Sequence, residues 1–187
     1  MNMRKVAVIG PPGTGKSTLS RELAWMTGLP LIHLDSRFWK QGWVMTDRVE
    51  WECDQRRMIE DTTWIIDGNY GSTLDIRLQA ADTVIFLDLP RSLYIRRVVT
   101  RMLRSFCLRQ RRSDMPPGCP ERPDRNFFRF LRYVWDFQRD ARPGILEQLT
   151  DLAPDTRLFW LRGQGDVGAL RREVEETWGE ITTEDSH

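Results

Sequence analysis

Short apolar runs alternate with longer amphipathic stretches along most of the chain. Val6-Ala7-Val8-Ile9 is continuously apolar and bounded by Gly10, the pattern of a strand covered on both faces. Lys16 to Met26 then reads as a helix, stopped by Gly28 and Pro30. Leu31 to Leu34 predicts a second strand ending at Asp35, and Trp64 to Ile66 a third ending at Asp67-Gly68. Thr83 to Leu87 predicts a fourth, ending at Asp88 and Pro90, and Leu158 to Leu161 a fifth. Asp47 with Glu50 three residues on has the form of a capping box, so a helix is expected from there to about Glu60. Further helices are expected over Ser92–Phe106, Asn126–Arg139, Ile145–Leu149 and Asp166–Trp178, with the polar tail Thr182–His187 frayed. The rhythm breaks at about 107–125, where four prolines and a glycine fall between Met115 and Pro123.

Strands that alternate with helices imply a parallel sheet with helices on both faces. Ligands in such sheets bind beyond the carboxyl ends of the strands. Here those ends carry a glycine-rich loop, Asp35, Asp67-Gly68 and Asp88. The 187 residues fit one domain with a single insertion.

Composition narrows the picture. No apolar run approaches the roughly 18 residues of a membrane span. The run after Met1-Asn2-Met3-Arg4-Lys5 is too short for the core of a secretory signal, so a cytoplasmic protein is expected. Cys53, Cys107 and Cys119 are far apart and form no CxxC, the pattern of reduced thiols. His33 and His187 are the only histidines, which leaves a Mg²⁺ site built from oxygen ligands as the open metal reading. Net charge is +1, but only Lys5, Lys16 and Lys40 among the 28 basic residues are lysines. Residues 91–142 hold fourteen arginines against five acids, and the planar guanidinium fork suits phosphate oxygens.

The strongest motif is Gly10-Pro11-Pro12-Gly13-Thr14-Gly15-Lys16-Ser17, a full match to GxxxxGK[ST] placed after a buried strand and before a helix. Glycines let consecutive N–H groups turn inward around phosphates, and the helix beginning near Lys16 adds its positive end. Lys16 is expected to reach the β- and γ-phosphates of ATP, the Ser17 hydroxyl to ligate Mg²⁺, and Thr18 to complete the cradle. The predicted class is α/β: a three-layer P-loop NTPase fold, a five-stranded parallel sheet with helices on both faces and a small Arg-rich lid insertion. The NKxD guanine-reading motif of GTPases is absent. Asp88 is followed by Leu89-Pro90 rather than by the second acid of motor-type ATPases.

Leu87 to Arg101, with Pro90 ahead of Arg97 and Arg101, resembles the start of the lid region in adenylate kinases. Ile65-Ile66-Asp67-Gly68-Asn69-Tyr70-Gly71 is similar to the DG element that closes strand three in the same enzymes. With His33-Leu34-Asp35, Trp39 and Trp43, the pattern over about residues 4–175 resembles the adenylate-kinase-related topology modulation (FlaR-type) proteins. The resemblance implies Arg97 near the adenine and Arg101 near the phosphates, on one helix face at i and i+4. It also implies Asp67 holding Mg²⁺ through water, and Arg109, Arg111 and Arg112 in a closing lid with Arg104 at its hinge. Asp35 falls where related small-molecule kinases place a carboxylate that orients or deprotonates an acceptor hydroxyl.

The chain departs from nucleotide kinases on the acceptor side. Asn69-Tyr70-Gly71 stands in place of phenylalanine, proline and arginine, Arg77 comes later, and Arg37 is displaced by one position. Trp39, Trp43 and Trp51 offer a flat apolar acceptor pocket, or, for Trp51 above all, core. The leading expectation is a Mg-ATP-dependent kinase acting on a small-molecule phosphoryl acceptor, as a monomer or homodimer. The alternative is a nucleic-acid-binding regulator switched by ATP, since Phe127, Phe128, Phe130, Tyr133 and Trp135 are interleaved with arginines. Phe127, Phe130, Leu131 and Val134, however, recur at the spacing of a helix core face. A nucleotide-binding scaffold without turnover is a third reading.

Overall fold

Five apolar runs do become one parallel sheet, and the pleat decides which helices each residue meets. The computed structural model describes residues 3–108, 118–119 and 123–184. In chain order these form β1 (Lys5–Ile9), α1 (Lys16–Thr27), β2 (Leu31–His33), α2 (Leu34–Phe38), β3 (Trp39–Lys40), β4 (Val44–Met45), α3 (Arg48–Glu60) and β5 (Trp64–Asp67). They continue with α4 (Leu74–Ala80), β6 (Thr83–Leu87), α5 (Arg91–Leu108), α6 (Arg125–Asp140), α7 (Arg142–Thr150), β7 (Arg157–Leu161) and α8 (Gln164–Glu184). The main sheet has the order β2-β5-β1-β6-β7, all parallel.

Successive strand residues point to opposite faces, and here both faces are covered. Ala7, Ile9, Trp64, Ile66, Val84 and Phe86 pack with residues of α3, α4 and α7, among them Trp51, Leu74, Leu78 and Ile145. Val6, Val8, Ile65, Ile85 and Leu87 pack on the other side with Leu19 and Leu23 of α1 and with Val167, Leu170 and Val174 of α8. That is the three-layer α/β arrangement. Tyr94, Val98 and Met102 of α5 form a separate core with Phe127 and Val134 of α6. The helix-core reading of Phe127, Phe130, Leu131 and Val134 therefore describes how α6 packs. No helix among the described residues is long and apolar enough to cross a membrane.

Three departures from the sequence expectation lie around the site. The second strand stops at His33, and Leu34–Phe38 turns into a short helix that carries Asp35. Trp39–Met45 is a two-stranded antiparallel hairpin, with Gly42 and Trp43 at positive φ in its turn. Leu74–Ala80 is a helix of seven residues, too short for its periodicity to stand out in sequence. The capping expectation at α3 is met on one side: Asp47 Oδ1 accepts from the Val49 N–H at 2.9 Å, while Glu50 pairs with Lys40 of β3. The proposed insertion at 107–125 lies mostly outside the described residues, and Arg109, Arg111 and Arg112 lie wholly outside them.

Candidate functional site

The loop between β1 and α1 sits at the carboxyl end of the central strand. Gly10, Gly13 and Gly15 take φ of 138°, 87° and 100°, values that side-chain-bearing residues rarely adopt. Space forbids a side chain as well. A Cβ on Gly13 would stand 2.5 Å from the Tyr94 carbonyl oxygen and 2.7 Å from Val98 Cγ2, and one on Gly10 would collide with the Leu87 carbonyl oxygen. Pro11 is buried, and Pro12 occupies the turn between Gly10 and Gly13. The Thr14 hydroxyl donates to the Pro11 carbonyl at 2.8 Å, and Lys16 Nζ donates to the same oxygen at 3.1 Å, drawing the lysine across its own loop. Ser17 is half-buried in the first turn of α1, and Thr18 is exposed beside it.

A Gly13→Ala substitution is expected to cost roughly 1–2 kcal/mol from the left-handed φ alone, before the clash with α5 is added. The checks are chemical denaturation and titration with a fluorescent ATP analogue. Wild-type stability together with wild-type affinity would contradict this account of the loop.

Arg97 of α5 closes one side of the loop, donating to the Thr14 carbonyl at 2.9 Å and to Gln164 Oε1 at 3.4 Å. Thr14, Gly15, Thr18, Arg97, Gln164 and Arg171 are among the residues lining a cleft of about 210 Å³. Gln164 and Arg171 belong to α8 and were not singled out in the sequence, where nothing marks them. Arg101, one turn beyond Arg97, is half-buried on the same helix, and Arg104 is exposed.

The aspartates at the strand ends differ in their surroundings. Asp67 pairs in register with Val8 of β1 and with His33 of β2. Its Oδ2 meets His33 Nδ1 at 2.9 Å, whereas its buried Oδ1 has no hydrogen-bond partner. A buried carboxylate oxygen left without a donor is costly. A divalent cation satisfies it, and Mg²⁺ prefers oxygen ligands of this kind. The Asp67 carboxylate thus fits a hydrated Mg²⁺ as an oxygen ligand. His33 was missed as a partner because the contact arises from register between two strands.

Asp88, by contrast, is engaged by structural partners. Arg142 donates to both of its oxygens, with Nη2 at 2.8 Å, and Trp160 Nε1 donates at 3.1 Å. Burial pushes the Asp88 carboxyl up, but the bonds from Arg142 and Trp160 outweigh it and hold the group below its usual range. A depressed folded-state pKa adds stability above the unfolded pKa of about 3.9 and loses it as pH falls through the folded value. Asp88→Asn is therefore expected to lower the melting temperature by a few degrees at pH 7. That gap should shrink below about pH 4; a pH-independent gap in thermal melts would refute the ion-pair explanation.

The segment Asp67-Gly68-Asn69-Tyr70 links the two halves of the site. Asn69 Oδ1 accepts from the Gly10 N–H at 2.7 Å, and the Asn69 amide also hydrogen-bonds the Tyr133 hydroxyl. Burial, with the Asp35 charge adding to it, pushes the Tyr133 hydroxyl pKa up, so Tyr133 stays protonated. Tyr70 adopts φ of 38° and donates its hydroxyl to Asp35 Oδ1 at 2.7 Å. Arg77 holds this segment from beneath. It is 0% exposed and donates to Gln55 Oε1 at 2.6 Å and to the Thr73, Gly68 and Asn69 carbonyls. Burial lowers its pKa to about 9, partly offset by the charge of Asp75, so it remains cationic at neutral pH. Trp51 lies in the core, the reading preferred for it from sequence, while Trp39 and Trp43 are half-buried on the hairpin.

Comparison with known proteins bears on the fold. No family model matches the chain, and no curated protein sequence matches it, so the resemblance to topology modulation proteins is not confirmed. Among solved structures, the chain is similar to a shikimate kinase from Acinetobacter baumannii in complex with shikimate. The TM-score there is 0.55 at 15% identity, over 100% of this chain and 97% of that one. It is also similar to a protein from Chloroflexus aurantiacus J-10-fl provisionally assigned as a kinase, with a TM-score of 0.53 at 19% identity over 94% and 98%. A gluconokinase from Sinorhizobium meliloti 1021 is more distant, with a TM-score of 0.45 at 14% identity over 98% of each chain. The protein thus shares a three-layer α/β fold with the first two of these structures, built on a five-stranded parallel sheet.

Proposed function

We propose that this protein is a Mg-ATP-dependent phosphotransferase that moves the terminal phosphoryl group of ATP onto a hydroxyl of a small molecule. The observation that carries the reading is the unpartnered Asp67 Oδ1, held by register next to Val8 of the strand that leads into a loop with three glycines at positive φ. In this reading the backbone N–H groups of residues 10–17 cradle the phosphates, with Thr18 at their edge. Lys16 neutralises charge between the β- and γ-phosphates, and Ser17 and Asp67 hold the metal. When bound, Mg²⁺ draws charge from the phosphoryl oxygens as a Lewis acid. Arg97 supports the nucleotide from the cleft it shares with Gln164, and Arg101 attends the phosphates from the next turn of α5. Asp35, with the Tyr70 hydroxyl orienting it, takes the proton of the acceptor hydroxyl.

The kinase names of two structural neighbours, the shikimate kinase and the Chloroflexus aurantiacus protein, agree with this assignment in class. The decisive experiment incubates the protein with Mg-ATP and a panel of nucleosides, nucleotides, polyols and hydroxy acids, and follows ADP release. Acceptor-dependent release that EDTA abolishes is expected, and no stimulation by any member of the panel would defeat the proposal. The nucleic-acid reading is weakened by the packing of Phe127 and Phe130 into the α5–α6 core, while Phe128, Tyr133 and Trp135 stay exposed.

A further inference from the structure

On the reading of residues 10–17 as a nucleotide site, we infer that Asn69 is a positioning residue for that loop. Its side-chain oxygen holds the Gly10 peptide where β1 leaves the sheet, and so presets the loop for Mg-ATP. The first ground lies in the ladder between β1 and β5. Val8 stands opposite Asp67, and the Gly68 N–H donates to the Val8 carbonyl at 3.1 Å. Rungs of a parallel ladder recur every two residues, so the next one in this register would run from the Gly10 N–H to the Gly68 carbonyl. That rung is replaced. Arg77 donates to the Gly68 carbonyl at 3.3 Å, and the Gly10 N–H donates to Asn69 Oδ1 at 2.7 Å. The side-chain oxygen lets β1 part from β5 at buried Gly10 without stranding its N–H. Gly10 is gripped on its other side by the Leu87 carbonyl, which leaves no room for a Cβ.

The second ground is that Asn69 is itself held still. Arg77, sealed in the core and braced by Gln55 Oε1 at 2.6 Å, also donates to the Asn69 carbonyl. Gly68, at φ of 146°, passes so close to α2 that a Cβ on it would stand 2.8 Å from Leu34 Cβ. The side-chain amide is engaged at both ends, since with Oδ1 accepting from Gly10 its nitrogen faces the Tyr133 hydroxyl. Only an amide offers an acceptor to one of these neighbours and a donor to the other. A loop entry fixed in this way has less freedom left to lose when nucleotide binds, which is preorganisation.

The test uses the full chain and three measurements on Asn69→Ala. They are equilibrium binding of a non-hydrolysable ATP analogue with Mg²⁺, hydrogen exchange at the Gly10 amide read by NMR without nucleotide, and thermal melting. Deleting the oxygen should weaken the analogue about 10-fold and speed Gly10 exchange about 10-fold. The melt should stay cooperative, because Arg77 grips the Asn69 backbone and not its side chain. Asn69→Asp keeps an acceptor for Gly10 and should return the slow exchange. An unaltered exchange rate in Asn69→Ala overturns the inference, and so does faster exchange with wild-type affinity. A joint loss of affinity and of cooperative melting that Asn69→Asp does not repair makes Asn69 a residue of the fold alone, and overturns it as well. Wild-type protein that does not bind the analogue defeats the nucleotide reading, and the inference with it, and is told apart from the other outcomes because no variant is needed to see it.

Discussion

Replacing Lys16 by Ala is expected to lower kcat by about 10²–10³-fold, the effect of deleting one preorganised charge from a phosphoryl-transfer site. The side chain is half-buried and reaches back to the Pro11 carbonyl at 3.1 Å, so its charge is held against its own loop. Because the charge on the transferred group builds toward the transition state, the loss should appear in kcat more than in nucleotide affinity. The cradle's other elements, the left-handed glycines and the Arg97 contact to Thr14, do not depend on Lys16 and should still bind ATP. Lys16→Arg should not rescue turnover, since a planar fork cannot take the place of a compact ammonium. Stopped-flow measurement of ADP release beside equilibrium binding of an ATP analogue separates the two effects. A variant with near wild-type kcat would remove Lys16 from the chemistry.

The loop of the proposed donor site could be read from the chain because its parts are contiguous. Eight adjacent residues make the loop, and an apolar strand before it and a helix after it fix its setting. Continuous apolar runs likewise announced the central strands β1, β5 and β6, because a strand buried on both faces has few polar positions to confuse it, and shorter apolar runs marked the half-exposed edge strands β2 and β7. What could not be read depends on contacts between distant segments. His33 meets Asp67 only because β2 and β5 pair with those two residues opposite each other. Asp88 looked like a free strand-end acid, and its partner Arg142 lies 54 residues away. Arg77 looked like a late substitute for a ligand-binding arginine, yet its burial makes it the clamp beneath the Gly68–Asn69 backbone. The hairpin at Trp39–Met45 and the helix at Leu74–Ala80 are too short to leave a periodic trace.

Asp35→Asn carries the other large effect and tests the acceptor side on its own. If Asp35 takes the proton of an alcohol, its amide should transfer phosphate about 10²–10⁴-fold more slowly, the range for a missing general base. Mg-ATP affinity should not change, because the carboxylate is held by Tyr70 rather than by the phosphate loop. Tyr70 acts through Asp35: its hydroxyl donates at 2.7 Å and fixes which oxygen faces the substrate. Tyr70→Phe should therefore cost less, about 10-fold in kcat, and should cost almost nothing more when added to Asp35→Asn. That non-additivity is the signature of two groups working as one unit. Full additivity would mean that Tyr70 touches the acceptor independently. An Asp35→Asn enzyme with normal kcat would mean that the acceptor oxygen is already anionic, as in a monophosphate, and needs no base. The same substitution thus discriminates the chemistry of the acceptor without knowledge of its identity, because only a neutral hydroxyl has a proton to lose.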